Sequence, residues 1–388
     1  VVPSPSRRTE TLETATRNLN AWIEIDLATF EANLSAIRGA IGSGVEIIAI
    51  VKGNAYGHGA GAIARAAEAA GVERFGVAYV PEAVALRAEG ITAPILATEH
   101  AFPGEAEAIV HARVTPTVHS RELADALSAA ASQLGTTARV HIKVDTGLRR
   151  FGVPIEEAPA LANYCRALPG LEVEGLLTHM ANADEADDGF SSEQQALFES
   201  VRRQLPWIPY HHAANSATAL RRSMLRHSGV RVGLAMHGLL PAHTRDPGLH
   251  PTLALKARVA RVVDVAPGEG VAYGLTWRAR RPSRVALVPV GYADGWRRSL
   301  GNVGEVLIGG HRCPMVGRVM MDQFLADATD AGAVAEGDEV VLLGSQGSET
   351  ITADDVARET GTISWEVLSL LQARLPRVYH RGGAVVPG

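Results

Sequence analysis

A lysine closes the apolar run EIIAIV at residue 52, and GNAYGHGAG follows it at once. Burial disfavours an ammonium, so a lysine set against a dry floor gives up its proton readily. The neutral amine attacks carbonyl groups, and the usual product is a Schiff base. An ordinary strand-end lysine would instead extend its charge to solvent. The glycines favour the reactive reading. They let backbone close around a ligand, and they open a helix whose first N–H groups attract anions. A dinucleotide turn built on Gly57, Gly59 and Ala62 is a rival. That turn should follow its strand directly, whereas five residues intervene here.

Similar runs end on other reactive side chains. In RVHIKVDTGLRRFG, alternation puts Lys143 and Asp145 on one face, where Asp145 can neutralise a nearby cation. Arg150 follows in the same stretch. LLTHM ends on His179, which by itself reads as a satisfied core residue. HHAANSATAL offers Asn215 and Ser216 just before a helix, and a hydroxyl beside fresh helix N–H groups suits a phosphate. GVRVGL supplies Arg231, Gly233 and Leu234. Much later, GEGVAYGLTW holds Tyr273, which alone reads as a strand-surface aromatic.

The elements that must position these residues alternate along the first two-thirds of the chain. Candidate strands are Glu46–Val51, Phe75–Tyr79, Pro94–Ala97, Val114–Val118, Arg139–Val144, Val173–Thr178, Pro209–Ala213 and Gly229–Leu234. Alanine-rich helical stretches such as GAIARAAEAAG and SRELADALSAAASQLG separate most of them. Parallel pairing follows, because each crossover needs a helix. Eight such units over roughly 200 residues predict an α/β fold with a closed, TIM-like (β/α)8 barrel rather than an open doubly wound sheet. In such a barrel the active site lies at the carboxyl ends of the strands, on the loops that follow, and Lys52 is placed there.

Near residue 250 the texture changes. HTRDPGLHPTL forms a joint, and short alternating runs follow, such as RVALVPVGYADG and GDEVVLLG, with one late helix at SWEVLSLLQARL. The predicted organisation is an N-terminal extension over 1–20, a barrel over 21–250 and a mostly β domain over 251–388. With 46% hydrophobic and 20% charged residues among 388, the chain reads as soluble and globular. Its net charge of −5 gives no reason to expect nucleic acid or an anionic membrane as partner. Two cysteines argue against a disulfide framework and a cysteine-based metal site, and point to a reducing, cytoplasmic setting. The first twenty residues have a basic pair without an apolar core, so they do not read as a signal peptide. No run approaches 18 apolar residues, so no membrane span is expected.

AIVKGNAYGHG closely resembles the signature of the alanine racemases, a fold-type III family dependent on pyridoxal 5'-phosphate (PLP). The other motifs occur in the family's order over about residues 20–380. The resemblance implies that Lys52 carries PLP covalently and that Tyr56 contacts its phosphate. It assigns Ser216 and the backbone at Gly233 and Leu234 to the phosphate, beside Asn215. Arg231 would face the pyridine nitrogen, with His179 between it and a catalytic tyrosine. KVDTGLRRFG fits K-x-D-T-G-M-x-R-x-G with Leu148 for Met. It maps Arg150 onto the cofactor's phenolic oxygen and the substrate carboxylate. Lys143 and Arg150 at about 4 Å would repel by several kcal/mol, and the resemblance resolves this by carbamylating Lys143 with CO2. Tyr273 would be the second base: Lys52 serves the D-side and Tyr273 the L-side. Its phenol needs nearby positive charge to ionise, and Arg231 acting through His179 is the implied source. Tyr292, Met321 and Asp322 would line the entrance, with the Met321 backbone on the substrate carboxylate. In family homodimers these C-terminal residues act in trans, so a monomer should be inactive.

The pattern is broken at several places. TISWE has Trp365 where the family usually has a phosphate-binding tyrosine. An indole has one donor and cannot accept, so the contact is repositioned, or lost with weaker PLP affinity. A Trp365→Tyr variant that binds PLP more weakly would contradict this. His237, Met320 and Ala272 also depart from common family residues but touch neither proposed base. The implied reaction is interconversion of L- and D-alanine for peptidoglycan, with a serine or broader racemase as the alternative. A decarboxylase on a related barrel lacks its cysteine–aspartate arrangement here, and a non-enzymatic single barrel would lack residues 255–388.

Overall fold

Eight short parallel strands close into a barrel in the computed structural model, which describes residues 10–187 and 189–388. In chain order they are Glu46–Ile50, Arg74–Val77, Ile95–Ala97, Val114–Val118, Ala138–Asp145, Leu171–Leu177, Tyr210–His212 and Gly229–Val232. Each falls within a predicted segment or overlaps it closely. The first seven pair with their neighbours in sequence, with one register shift at Val140/His141, and the eighth returns to the first through Val230↔Ile47 and Arg231↔Ile48. The seam between the seventh and eighth strands is bridged by backbone bonds, Ser228 N–H to His211 O at 3.0 Å and Arg231 N–H to Ala214 O at 2.9 Å. An open sheet is thereby ruled out. Nearly every strand residue is buried, as for Val114–Val118, because helices cover the outside and side chains fill the inside.

The chain divides into two compact units. The barrel unit comprises 30–55 and 60–250. The other unit comprises the described residues up to Thr29, the segment Tyr56–Gly59 and Pro251–Gly388. This differs from the expected boundaries. Ala21–Asp26 is not a barrel strand: it pairs antiparallel with Leu253–Arg258 and parallel with Arg377–Arg381. The proposed extension also differs. Residues 1–9 lie outside the described residues. The helix Leu12–Thr16 is tied to the C-terminal strands through Leu12 N–H to Gly383 O at 3.0 Å.

The second unit is mostly β, as expected. One sheet runs His311–Pro314, Glu305–Ile308, Glu339–Gln346, Leu253–Arg258, Ala21–Asp26, Arg377–Arg381, Ala384–Val385. A smaller sheet joins Arg261–Val265, Ser283–Val288 and Phe324–Asp327. Among the described residues after 251, two α-helices occur where one was expected. Ser364–Ser369 was expected; Ala353–Thr360 was not, although Thr352 and Asp355 form its capping box. Among the described residues no helix is long and apolar enough to cross a membrane. Cys165 and Cys313 are both free and buried.

Candidate active site

Lys52 begins a left-handed turn. Gly53, Asn54 and Ala55 take φ of 60°, 56° and 52°, and Tyr56 takes 53°. That conformation costs an L-residue roughly 1–2 kcal/mol, so something must hold it. Gly53 N–H donates to Glu82 Oε1 at 2.7 Å, and Glu82 Oε2 accepts from Ala78 and Tyr79 N–H. Asn54 Oδ1 accepts from Ala60 N–H at 2.8 Å and caps the next helix. Strain over-determined in this way is characteristic of functional sites. It fixes Lys52, half-buried, at the carboxyl end of the first strand.

Arg231 is 5% exposed and hydrogen-bonded through both terminal nitrogens. Nη1 donates to His212 Nδ1 at 2.8 Å and to His212 O at 3.0 Å. Nη2 donates to Thr178 O at 2.7 Å, Ala213 O at 2.8 Å and His179 Nδ1 at 3.2 Å. Among the described residues no acceptor takes its Nε–H. Burial and then the Arg150 charge pull its pKa down to about 10, so it remains a cation at neutral pH. An arginine only donates, so His179 Nδ1 must accept, and in the neutral ring Nε2 carries the proton. Burial pushes His179 well below the usual histidine range, helped by the charges of Arg231, Arg150, Lys143 and Lys52. Those four cations therefore share one rim with His179.

Lys143 is 3% exposed, with Nζ donating to Thr98 O at 2.7 Å and Glu99 Oε2 at 3.3 Å. It also lies 4.6 Å over the Phe151 ring. Glu99 Oε1 pairs with Arg150 Nη2 at 3.0 Å. One carboxylate thus bridges the two cations, Lys143 and Arg150. Burial lowers the Lys143 pKa to about 8, with Glu99 opposing and Arg150 and Arg231 assisting. Asp145 is held by backbone donors. Its Oδ1 accepts from the backbone N–H of Gly147 and Arg149 and shapes the loop that carries Arg150. With Lys143 unmodified, in bicarbonate-free buffer, Glu99→Ala strands a buried ammonium on one carbonyl. The expected loss is about 3 kcal/mol of unfolding free energy in urea; an unchanged midpoint and slope would refute the pairing.

A further corner forms after the seventh and eighth strands. Asn215 caps the helix Ser216–Arg221, accepting from Thr218 N–H at 2.9 Å. Gly233 N–H donates to Ser216 Oγ at 3.1 Å, which leaves the hydroxyl proton to donate elsewhere. The 3₁₀ turn Leu234–His237 begins at the same place, and its first N–H groups have no partner within the turn. Buried Thr218 Oγ1 likewise has no partner among the described residues. His237 packs on Phe30, ring centroids 5.5 Å apart. The donor set suits a phosphate.

In the second unit, glycines bring three loops together. A Cβ on Gly317 would meet Ala272 Cβ at 2.8 Å, and one on Gly291 would meet Met321 O at 2.3 Å. Tyr273 follows Ala272, a residue at φ 58°. Tyr292 N–H donates to Met320 O at 3.1 Å. Tyr273, Tyr292 and Met321 are 71%, 43% and 54% exposed. Asp322 pairs with Arg374 at 2.8 Å, and Arg374 with Asp294 at 2.5 Å. Trp365 lies half-buried on the helix Ser364–Ser369, whose Leu368 carbonyl would sit 2.2 Å from a Cβ on Gly57. The segment that begins at Tyr56 is thus held close to the helix of Trp365.

The predicted site residues therefore form two groups. Lys52, Lys143, Arg150, His179, Asn215, Ser216, Arg231, Gly233 and Leu234 gather on the barrel rim. Tyr56, Tyr273, Tyr292, Met321, Asp322 and Trp365 belong to the second unit. Sequence reasoning missed Glu82, Glu99 and His212. Glu99 had a readable signal, an acid directly after the third strand.

Two family models match, described as "Alanine racemase, N-terminal domain" over residues 25–241 and "Alanine racemase, C-terminal domain" over 252–379. The alanine racemase of Desulfovibrio desulfuricans is 42% identical, over 92% of this chain and 97% of that one. The Bacillus anthracis alanine racemase structure with bound L-Ala-P matches with a TM-score of 0.88 at 37% identity, covering 95% of this chain and 97% of that one. The Bartonella henselae alanine racemase with covalently bound pyridoxal phosphate matches with a TM-score of 0.84 at 30% identity, covering 93% and 99%. The chain belongs to the alanine racemase family, isomerases acting on an amino acid.

Proposed function

We propose that this protein interconverts L- and D-alanine with PLP as cofactor, using Lys52 and Tyr273 as bases on opposite faces of the substrate's α-carbon. The observation that carries the reading is Arg231. Its other N–H groups are committed to protein acceptors, and Nε–H is left to donate to an unprotonated ring nitrogen. The remaining residues fit the group as well. Lys52 would hold it covalently; Ser216, the backbone at Gly233 and Leu234, Asn215, Tyr56 and Trp365 would surround its phosphate; Arg150 would bind its phenolic oxygen and the substrate carboxylate. When bound, PLP supplies an electron sink that acidifies the substrate's α C–H.

The chain's own groups then move the protons. Tyr273 Oη takes the α-proton of L-alanine and Lys52 Nζ delivers one to the other face; the reverse reaction exchanges their roles. His179, neutral with its proton on Nε2, donates to the phenolate oxygen and steadies its charge. Arg231, a fixed cation that holds all its own protons, keeps the ring nitrogen unprotonated, which limits charge delocalisation and disfavours side reactions such as transamination. Met321 and Tyr292, with Asp322 anchored by Arg374, border the substrate.

The exposure of Tyr273, Tyr292 and Met321 supports a homodimer in which a second copy covers them and Tyr273 acts in trans. Lys143 near its pKa of about 8 retains a neutral amine fraction whose nitrogen bonds to CO2 and releases one N–H proton to solvent, leaving a carbamate anion. The carbamate would then hold Arg150 together with Glu99. With 13C-labelled bicarbonate, a carbamate carbon signal that disappears in Lys143→Met supports this, and a bare amine refutes it. The product is proposed to supply peptidoglycan D-alanine in the cytoplasm. The first test is chemical: borohydride should bleach a yellow protein and fix the label on Lys52. A label on any other residue would overturn the assignment. Rates across amino acids then separate alanine from serine or broader preference.

A further inference from the structure

Below Arg231 the barrel interior holds a chain of polar groups with no role in the scheme above. His212 Nε2 lies 2.9 Å from His141 Nδ1, and His141 Nε2 lies 3.0 Å from Glu174 Oε2. His212 is 0% and His141 1% exposed. The three residues sit on the seventh, fifth and sixth strands, so the chain passes through the barrel core. The space is built for it: a Cβ on Gly175 would lie 2.5 Å from His141 Cε1.

The two ends fix the direction of every hydrogen bond. Arg231 has only donors, so His212 Nδ1 accepts and its proton sits on Nε2. That N–H donates to His141, whose Nδ1 therefore accepts and whose proton also sits on Nε2. Glu174, as a carboxylate, accepts it. Both rings are neutral: burial pushes His212 well below and His141 below the usual range. Burial works to raise the Glu174 pKa, but bonds from His141 and Arg74 prevail and hold it at about 2. The groups facing Glu174 are Arg74, with Nη1 3.0 Å from both carboxylate oxygens, and Arg139 at 3.9 Å. Arg74 also pairs with Glu46 at 2.9 Å and lies 4.3 Å over the Tyr210 ring.

We propose that Glu174 is a positioning residue for the reaction: through His141 and His212 it sets the tautomers that hold Arg231 with its Nε–H free for the cofactor ring. The inference rests on the proposed PLP-dependent racemisation. Glu174→Gln reverses the chain. Arg74 and Arg139 draw the amide oxygen, so the amide N–H2 faces His141. His141 and His212 then carry protons on Nδ1, and an N–H of His212 meets the N–H of Arg231.

Neutron diffraction from the perdeuterated, PLP-loaded protein without substrate reads these protons directly. The expected result is a deuteron on Nε2 alone in both rings of the wild type, and on Nδ1 in Glu174→Gln. The variant's kcat should fall about tenfold, with KM for alanine within about twofold, because orientation is lost and not substrate contact. His141→Leu, which cuts the chain and leaves the Glu174–Arg74 pair in place, should show the same split and serves if Glu174→Gln does not fold. A wild-type Nδ1 deuteron on either ring, or an unchanged kcat in the folded variant, overturns the proposal. A wild type that fails to racemise alanine overturns the reading it rests on, while the tautomers still test the chain.

Discussion

Lys52→Ala loses racemisation in both directions by at least about 10⁴-fold, the upper range for a single acid–base group, and the purified variant is colourless. The size follows from two losses at one atom. The amine is placed by a locked left-handed turn, through Gly53 to Glu82 and Asn54 to Ala60. It is also the proposed base for the D-face. Lys52→Arg separates the losses. The guanidinium keeps the charge but stays protonated, so neither covalent attachment nor proton removal survives. Polarimetry on each enantiomer and the visible spectrum check both. A coloured Lys52→Ala protein with measurable turnover would assign the cofactor to another residue.

Tyr273→Phe lowers racemisation by about 10²–10⁴-fold and leaves cofactor binding intact, since the phenol is assigned to proton transfer alone. The side chain is 71% exposed, so its removal leaves no core cavity, and thermal unfolding should be unchanged. If Tyr273 acts in trans, two inactive variants complement each other. In an equal mixture of Lys52→Ala and Tyr273→Phe subunits, half the dimers are mixed and each holds one intact site. About a quarter of wild-type activity should return. No recovery after verified subunit exchange would place both bases on one chain.

The barrel was legible because each strand is a short run of buried β-branched residues ended by polar or glycine residues, and because parallel pairing requires helical crossovers. Ala21–Asp26 fell inside the expected barrel range without being read as a strand, because its partners, Leu253–Arg258 and Arg377–Arg381, lie far away in sequence. Ala353–Thr360 could have been found from Thr352 and Asp355, three residues apart. In the site, strand-end placement singled out Lys52 and Ser216, whereas His179 and Arg231 drew their roles from the family resemblance. Glu99 itself had a readable signal just past the third strand, but its pairing with Lys143 and Arg150 was not legible, since those residues belong to the fifth strand and its loop. Nor was the backbone hand of Ala55 and Tyr56, residues that ordinarily avoid positive φ.

The claim that a lysine and a tyrosine work on opposite faces of one carbon is tested most directly by solvent exchange at the α-position. In deuterated water, Tyr273→Phe should still exchange the α-proton of D-alanine, through Lys52, with its configuration retained, while L-alanine keeps its proton. Exchange from both enantiomers at equal rates, or from L-alanine alone, would contradict the account.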